Sequence, residues 1–355
     1  PIIPGNFQLK PIVKTRKKFQ DLKKLMGRKD VGEVVNACDA GREGELIFTY
    51  LYEAAKCKKP VRRMWMSSMT QGSILQAYDD LRKKETMQPL QDAARCRSEA
   101  DWLIGINGTR AVTLKKSRGK ARQMTTVGRV QTPTLSLVVA REREIVNFKP
   151  RKFWRITGRF SIAGGEYEGI CLKEGFKKNE ANPHDRVDRH WEEDAAKDLH
   201  QRLTSQAKAS VTETKKRSPR LPGRLFDLTS LQREANSKLS YSASRTLQIA
   251  QALYERHKVI TYPRTDSKAL PQDYAETCQG VLTNMSGELA PFSSKVIENG
   301  WVNPDDKRIF NDKQVSDHFA IIPTDQSPSG LSADESKIYS LIAKRFVAIF
   351  YPPAQ

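Results

Sequence analysis

Residues 31–56, VGEVVNACDAGREGELIFTYLYEAAK, contain the pattern that most limits which folds this chain can adopt. The apolar run from Val34 to Cys38 has the length and composition of a buried parallel strand. Apolar residues then recur at helical spacing, at Leu46, Ile47, Tyr50 and Ala54. The segment therefore predicts a strand, a turn and a helix, as in open α/β sheets.

The turn of this unit is rich in carboxylates. Asp39 follows the predicted strand, and Glu43 and Glu45 fall at the start of the predicted helix. Open α/β sheets bind their ligands at this end of their strands. One explanation is that the acidic side chains complement the helix dipole. The other is a Mg²⁺ site, because glycines at 41 and 44 allow close approach and Mg²⁺ takes only one or two protein oxygens beside its waters.

The middle of the chain changes from helical to strand periodicity. Helical spacing dominates from residues 67–84 onward, and alternation with a Gly-Gly turn over residues 153–172 predicts a β-hairpin. A short helix is expected over residues 186–203 and another strand over residues 209–218. The connector at 217–224, rich in proline and arginine, is expected to be a domain boundary.

Within the helical part, charged side chains stand among apolar neighbours, as in ADWLIGINGTRAVT. They are Arg95, Arg97, Asp101, Arg110, Arg122 and Arg129. Guanidinium groups near a packed face or in a groove need anionic partners. Trp102, in the same stretch, is expected to belong to the core.

A second helical region leads into the segment VITYPRTDS, residues 259–267. Helices are predicted over residues 226–239, with Asp227 as the N-cap, and over residues 242–260. The apolar face of the second helix is formed by Leu247, Ala250, Leu253 and Tyr254. Because this helix packs, Tyr262 is expected to lie on a rigid element.

The charge of the chain indicates its partner. A formal net charge of +20 accompanies a hydrophobic content of 38%. The basic residues are spread along the chain, which favours nucleic acid over a membrane surface as the polyanion. No apolar run approaches the ~20 residues of a membrane span. The five cysteines include no CxxC pair, so neither a zinc site nor a disulfide framework is expected, and this suits a reducing cytoplasm. A monomer is the default expectation for the oligomeric state.

Tyr262 and Arg264 could act together on a phosphodiester. A tyrosine hydroxyl, with an ordinary pKa of ~10, is a poor nucleophile unless a nearby cation or base favours its oxyanion. Arg264 can supply that charge and can hold a phosphate oxygen. Attack would leave a phosphotyrosine bond and a free sugar hydroxyl, so that the strand could be rejoined without ATP. The alternative is a half-buried strand tyrosine beside a surface arginine.

The segment VITYPRTDS is similar to the active-site stretch of type IA DNA topoisomerases, and further motifs follow in the order of that family. They are CDAGREGELI (38–47), which resembles the acidic toprim motif, SSMTQGSILQAY (67–78), DWLIGINGTRAVT (101–113), VGRVQTPTL (127–135), FDLTSLQREAN (226–236) and DHFAIIPT (317–324). Together they cover nearly the whole chain. The sequences of these motifs are most similar to those of the bacterial topoisomerase III branch.

The resemblance implies roles for individual residues. Tyr262 would be the nucleophile that becomes joined to a 5′ phosphate, Arg264 would stabilise the cleaved phosphate, and His318 would hydrogen-bond near the cleavage site. Asp39 and Glu43 match metal-binding positions, which implies Mg²⁺ as the cofactor. The positions that would line a groove for single-stranded DNA are Arg97, Asp101 and Arg129.

Two departures from the family pattern affect the expected site. Where many members have Asp-x-Asp-x-Glu, this chain has Gly41 between Asp39 and Glu43, so one metal ligand is lost and a second Mg²⁺ site is put in doubt. The family's opening strand, with a glutamate and a lysine followed by Pro-Ser, is not found ahead of Pro1. The chain is therefore expected to be a catalytic-core fragment with an incomplete site.

The resemblance also implies the architecture, a mixed α/β, multidomain part of a type IA toroid. Its expected domains are a partial toprim, Rossmann-like domain (1–89), a helical groove domain (90–150), the outward half of a β-rich arch domain (151–220) and a helical domain carrying Tyr262 (221–355).

The function that the resemblance implies is that of an ATP-independent, Mg²⁺-dependent bacterial DNA topoisomerase. It would act in the cytoplasm, at the nucleoid, on single-stranded segments of negatively supercoiled or catenated DNA. Two alternatives stay open. A toprim-type nuclease would cut without a covalent protein adduct. An inactive single-strand binding relative would bind with a steep salt dependence and never cut.

Overall fold

The structure, a computed structural model, describes residues 1–117, 123–178, 180, 182, 184–205 and 210–354. It forms two compact units, one of residues Pro1–Arg129 with Arg217–Gln355 and one of residues Val130–Lys216. Arg122 and residue 209, which belong to two of the predicted features, lie outside the described residues.

The chain is mixed α/β, as its sequence predicts. The helices are α1 (Arg16–Gly27), α2 (Arg42–Ala55), α3 (Gln71–Asp79), α4 (Gln88–Lys116), α5 (Gln131–Val146), α6 (Glu193–Thr204), α7 (Leu228–Leu239), α8 (Ala243–Glu255), α9 (Ala275–Thr283), α10 (Ala290–Glu298) and α11 (Ala333–Ala348). The strands are β1 (Val34–Asn36), β2 (Val61–Arg63), β3 (Arg82–Lys83), β4 (Thr157–Ile162) and β5 (Gly165–Ile170). Short 3-10 turns cover Val13–Thr15, Lys84–Met87, Gln272–Tyr274, Gly287–Leu289 and Asp312–Gln314.

The predicted strand, turn and helix at residues 31–56 are confirmed. β1 pairs in parallel with β2, with Val34 opposite Val61, and β3 adds an antiparallel edge. The strand is shorter than expected, since it ends at Asn36 and leaves residues 37–41 to form the turn. The buried face of α2 also differs from the predicted apolar face. Its buried residues are Gly44, Glu45, Phe48, Thr49 and Ala55.

Two hydrophobic clusters form the core of the part of the first unit that follows residue 217. One is centred on Leu282, Phe310 and Phe346, and the other on Leu231, Leu253 and Ile342. Their buried members all lie between Leu225 and Phe350. The predicted N-cap is confirmed, because Asp227 Oδ1 accepts a hydrogen bond of 2.6 Å from the Ser230 amide at the start of α7.

The predicted hairpin forms the sheet of the second unit. β4 and β5 pair antiparallel from Thr157 opposite Ile170 to Ile162 opposite Gly165. Gly165 has a φ of +139°, which favours glycine at the end of this turn. Helix α6 begins at Glu193 and not near residue 186, because His190 is held extended by two backbone hydrogen bonds to Trp154, of 2.8 and 2.9 Å.

The mostly helical spacing predicted from residues 67–84 onward is confirmed by α3, α4 and α5, with the short strand β3 between α3 and α4. Two other expectations from the sequence were wrong. Residues 210–218 form no strand; they are exposed and have no strand partner among the described residues, so their alternation buries nothing. Trp102 is 44% exposed and contacts Phe7 edge-on, with ring centroids 5.5 Å apart. None of the described helices is both long and apolar enough to cross a lipid bilayer.

Candidate active site

Residues 259–267 form an irregular segment with a bend at Pro263. Three hydroxyls, of Thr261, Thr265 and Ser267, donate hydrogen bonds of 2.9, 3.0 and 2.7 Å to backbone carbonyls of residues 314–320. Thr265 and Ser267 are buried, whereas Arg264 and Asp266 are exposed and Tyr262 is half-buried.

Tyr262 is half-buried between two rings. Its ring centroid lies 4.3 Å from that of His318 and 5.3 Å from that of Tyr254 on α8. Within the part of the chain that the structure describes, the Tyr262 hydroxyl forms no hydrogen bond. The phenol is thus fixed by its ring while its oxygen stays free to react.

Arg264 is held beside Tyr262 by a side chain of α8. With the Gln251 amide oxygen turned towards it, the guanidinium donates hydrogen bonds of 2.8 Å from Nη2 and 3.1 Å from Nε. Burial raises the pKa of Tyr262 above its ordinary value, and the positive charge of Arg264 acts against this shift. Arg264 is therefore the cation that favours the tyrosine oxyanion.

We expect Arg264→Ala to raise the pKa of Tyr262 further, because the substitution removes the charge that lowers it. NMR titration of ¹³Cζ-labelled tyrosine measures this pKa directly. Arg256→Ala, which removes a neighbouring surface charge paired with Glu335, is the matched control and should leave Tyr262 unchanged. An equal shift in both variants would contradict the assignment.

Because the folded-state pKa of Tyr262 is raised, the stability linked to this residue is present below about pH 10 and lost as the pH rises through that pKa.

The acidic turn after β1 is built around the buried guanidinium of Arg63. It is 1% exposed, and it donates hydrogen bonds to the backbone carbonyls of residues on both sides of the turn. The acceptors are Asn36 at 3.0 Å, Cys38 at 2.7 Å, Asp39 at 2.6 Å and Met64 at 2.6 Å. Its Nε lies 2.6 Å from Glu45 Oε1 in a buried ion pair. Glu45 therefore holds Arg63 in place and is not free to bind a metal, contrary to one reading of the sequence.

Asp39 and Glu43 are both exposed beside this turn. Asp39 Oδ2 lies 3.7 Å from His318 Nε2. The turn therefore approaches the same histidine whose ring packs against Tyr262. Among the described residues, no three His, Cys, Asp or Glu side chains are grouped to hold a metal ion. Two exposed carboxylates nevertheless fit Mg²⁺, which keeps several waters and needs only one or two protein oxygens.

Asp317 packs against the turn at Gly41. A Cβ at position 41 would collide with the Asp317 carboxyl group, so glycine is required for this approach. Burial raises the pKa of Asp317, and the negative charges of Asp266 and Asp39 raise it too, while His318 and Arg42 act against them. Arg42, Arg264, Asp266, Asp317 and His318 line a cavity of about 810 Å³. Basic and acidic side chains therefore line the same cavity, next to the segment that carries Tyr262.

The two glycines of the turn should respond differently to alanine. A Cβ at Gly44 would meet the backbone of Asp39, whereas a Cβ at Gly41 would meet only the movable carboxyl group of Asp317. We expect Gly44→Ala to lower the free energy of unfolding by about 1–3 kcal/mol, as overpacking does. Gly41→Ala should cost less, and its cost should disappear in an Asp317→Ala background. Urea unfolding of the four variants measures this, and equal costs at both glycines would contradict the described packing.

The three residues that the family resemblance places in a groove are found on and beside α4. Asp101 and Arg129 form an ion pair. Their hydrogen bond holds the pKa of Asp101 below its usual value, and the nearby charge of Arg97 contributes. Arg97 is exposed. A basic side chain that is not consumed by a partner can follow a phosphate backbone.

Several site residues were missed by the sequence reasoning. Gln251 contacts Arg264, Arg63 contacts the carbonyl of Asp39, and Asp266 and Asp317 line the cavity with Arg264 and His318, yet none of the four was assigned a functional role from the sequence. The sequence pattern of residues 259–267 could have indicated Asp266, because small hydroxyl residues alternate there with Tyr262, Arg264 and Asp266. No comparable local signal marks Arg63, whose partners lie across β1 and α2.

Comparison with known proteins gives the family. A model of the family described as DNA topoisomerase matches residues 85–355. The DNA topoisomerase 3 of Shouchella clausii is 40% identical over 100% of this chain and 47% of its own length. The DNA topoisomerase 3 of Bacillus subtilis is 39% identical over 99% of this chain and 46% of its own length. Full-length topoisomerase I from Thermotoga maritima matches with a TM-score of 0.57 and 25% identity, over 96% of this chain and 52% of that one.

The chain belongs to the DNA topoisomerase family. The relatives named above confirm the resemblance to type IA enzymes and to the bacterial topoisomerase III branch. The chain spans about half the length of the curated relatives it matches.

Proposed function

We propose that this chain cuts and rejoins one strand of DNA through Tyr262. The observation that carries the proposal is the Tyr262 hydroxyl, which is free of hydrogen bonds among the described residues, next to a guanidinium that Gln251 holds in place. A phenol so placed can attack a phosphodiester, and the guanidinium can receive the charge that develops on the phosphate.

The chemistry balances without an external energy source. The Tyr262 oxygen forms a bond to phosphorus while the bond from phosphorus to the 3′ oxygen breaks, and the tyrosine proton ends on that 3′ oxygen. The downstream piece stays attached to Tyr262 through its 5′ phosphate. Reversal restores the strand, because one phosphodiester has been exchanged for another. ATP is therefore not needed.

Asp39 and Glu43 would hold the Mg²⁺ of the proposed reaction. Bound Mg²⁺ would supply positive charge to phosphate oxygens. Asp39 also faces His318, and the ring of His318 packs at an angle of 50° to that of Tyr262, so these three side chains would position the cleaved phosphodiester together. Gly41, which occupies the place of a second aspartate in many relatives, supports a site of two carboxylates.

The remaining parts of the proposal concern the wider enzyme. Residues 1–89 would form a partial toprim domain, 90–150 a groove domain, 151–220 part of an arch, and 221–355 the domain of the nucleophile. Arg97, Asp101 and Arg129 would line a groove for single-stranded DNA. The substrate would be single-stranded segments of negatively supercoiled or catenated DNA, and the enzyme would act as a monomer in the bacterial cytoplasm.

The test is a search for a covalent adduct. The chain is incubated with a 3′-labelled single-stranded oligonucleotide and Mg²⁺, then denatured and separated by electrophoresis. A second preparation carries, at both ends, the flanking sequence of the Shouchella clausii relative. We expect the label to migrate with protein, and a 5′-labelled oligonucleotide to release its label instead.

The other outcomes decide between the alternatives. Cleavage without an adduct in either preparation would favour a metal-dependent nuclease. Binding without cleavage, with an affinity that falls steeply with salt, would favour a single-strand binding relative.

A further inference from the structure

We propose that Asp273 closes a latch that holds the two halves of the active site together. The latch consists of Asp273 and three hydroxyl residues, Ser68, Thr70 and Ser73. The inference rests on the proposed function and concerns the control of that site.

The contacts of the latch converge on one atom. Asp273 Oδ2 accepts hydrogen bonds of 2.8 Å from Ser68, 2.6 Å from Thr70 and 2.7 Å from Ser73. Each hydroxyl has one proton to donate, so all three protons are committed to this carboxylate oxygen. Hydrogen bonds to a charged acceptor are stronger than those between neutral groups.

The hydroxyls are oriented before they reach Asp273. The Thr70 oxygen caps helix α3 by accepting from the Ser73 amide at 3.3 Å, and the Ser68 oxygen accepts from the Thr70 amide at 3.4 Å. With their lone pairs used in this way, the protons are left to point at the carboxylate. The donor hydroxyls of the latch are thus oriented by hydrogen bonds from backbone amides at the start of α3.

Each side of the latch is fixed to one half of the site. Asp273 follows Tyr262 by eleven residues. Its neighbours Leu270 and Tyr274 are buried in the core, with exposures of 0% and 7%, so Asp273 moves with the nucleophile. The hydroxyl residues follow β2, whose last residue, Arg63, holds the turn of Asp39. The latch therefore ties the tyrosine to the carboxylates.

Few other polar contacts join these halves. Between the described residues 1–117 and 217–354, the hydrogen bonds are the three that end on Asp273. The other polar contacts are at the site itself, where Asp39 faces His318 and Asp317 packs on Gly41. The buried members of both hydrophobic clusters lie within residues 225–350, so these clusters do not bridge the halves.

This arrangement matches what strand passage requires. The halves must stay closed while Tyr262 cuts and reseals, and must separate while another strand passes between the cut ends. A latch without apolar burial can exchange its hydroxyls for water and re-form. Asp273 would set the balance between the closed and the open state.

The test measures opening without DNA. Fluorescent amino acids are incorporated at the exposed positions 79 and 279, one on each half, and the open fraction is read by single-molecule energy transfer. We expect Asp273→Ala to raise the open fraction by about tenfold or more, since three charge-assisted hydrogen bonds are lost. Ser73→Ala, which removes one donor, should raise it by a smaller factor. Glu276→Gln, at an exposed acid on the same segment, should leave it unchanged.

The outcomes separate the latch from the proposed function. An unchanged open fraction in Asp273→Ala would overturn the latch, even if the chain still forms the Tyr262 adduct. A raised open fraction, with adduct formation on a short oligonucleotide retained and resealing slowed, would support both. A raised open fraction without any adduct in the unaltered chain would keep the latch and remove the cleavage chemistry.

Discussion

Replacing Tyr262 by phenylalanine is expected to reduce covalent adduct formation by at least about 10⁴-fold, because loss of a nucleophile has effects of this order in other enzymes. The substitution removes only the attacking oxygen. The ring that packs against His318 and Tyr254 is kept, and the lost hydroxyl has no hydrogen-bond partner among the described residues. The free energy of unfolding should therefore change by no more than about 0.5 kcal/mol.

Oligonucleotide binding and adduct formation should respond differently to this substitution. Tyr262→Phe should bind a single-stranded oligonucleotide as the unaltered chain does, because Arg264 and the cavity are retained. Tyr254→Phe is the matched control, since it removes the hydroxyl of the neighbouring ring and should keep the adduct. Adduct formation that survives in Tyr262→Phe, or that is lost equally in Tyr254→Phe, would contradict the assignment of the nucleophile.

Arg63→Ala is expected to lower the free energy of unfolding of the first unit by about 3–5 kcal/mol, the cost of breaking a buried ion pair. The change would leave Glu45 buried without its cation and would also remove the donor for the carbonyls of the turn. Arg62→Ala is the matched control. Arg62 is exposed and pairs with Glu33 at 3.6 Å, so its loss should cost about 0–1 kcal/mol.

A double substitution tests which part of the Arg63 network matters. Replacing Arg63 by methionine and Glu45 by glutamine together removes both buried charges, which restores stability in many simple ion pairs. Here the carbonyls of Cys38 and Asp39 would still lack their donor, so we expect only partial recovery. Denaturant unfolding of the single and double variants gives the result. Full recovery would show that the backbone contacts contribute nothing.

Local patterns in the sequence predicted the elements that depend on local interactions. The strand, turn and helix at residues 31–56, the hairpin around Gly165 and the Asp227 cap are all present, because each follows from spacing and turn chemistry within a few residues. The carboxylates were placed correctly at the end of β1 for the same reason.

The errors arise where distant contacts override the local pattern. Ile47 is one of the apolar residues whose spacing predicted α2, yet it is 58% exposed, whereas Glu45 is buried. Apolar periodicity cannot show that Arg63, on another strand, makes burial of Glu45 favourable. Residues 210–218 alternate like a strand, but a strand also needs a partner, and that partner is not visible in the sequence.

The candidate site follows the same rule. Tyr262 and Arg264 could be proposed from a motif, since they lie two residues apart in the sequence. Gln251, Asp317 and Asp273 act through contacts with residues far along the chain, which no local pattern contains. Only the folded chain brings these side chains to Arg264, to Gly41 and to the hydroxyls before α3.

The role of Tyr262 as the nucleophile is tested most directly by identifying the atom of the protein that becomes joined to DNA. The adduct formed with a single-stranded oligonucleotide is digested with nuclease and trypsin, and the peptides are analysed by mass spectrometry. We expect a 5′-phosphonucleotide on Tyr262 within the peptide VITYPR, residues 259–264. A nucleotide attached to another residue, or attached through its 3′ phosphate, would contradict it.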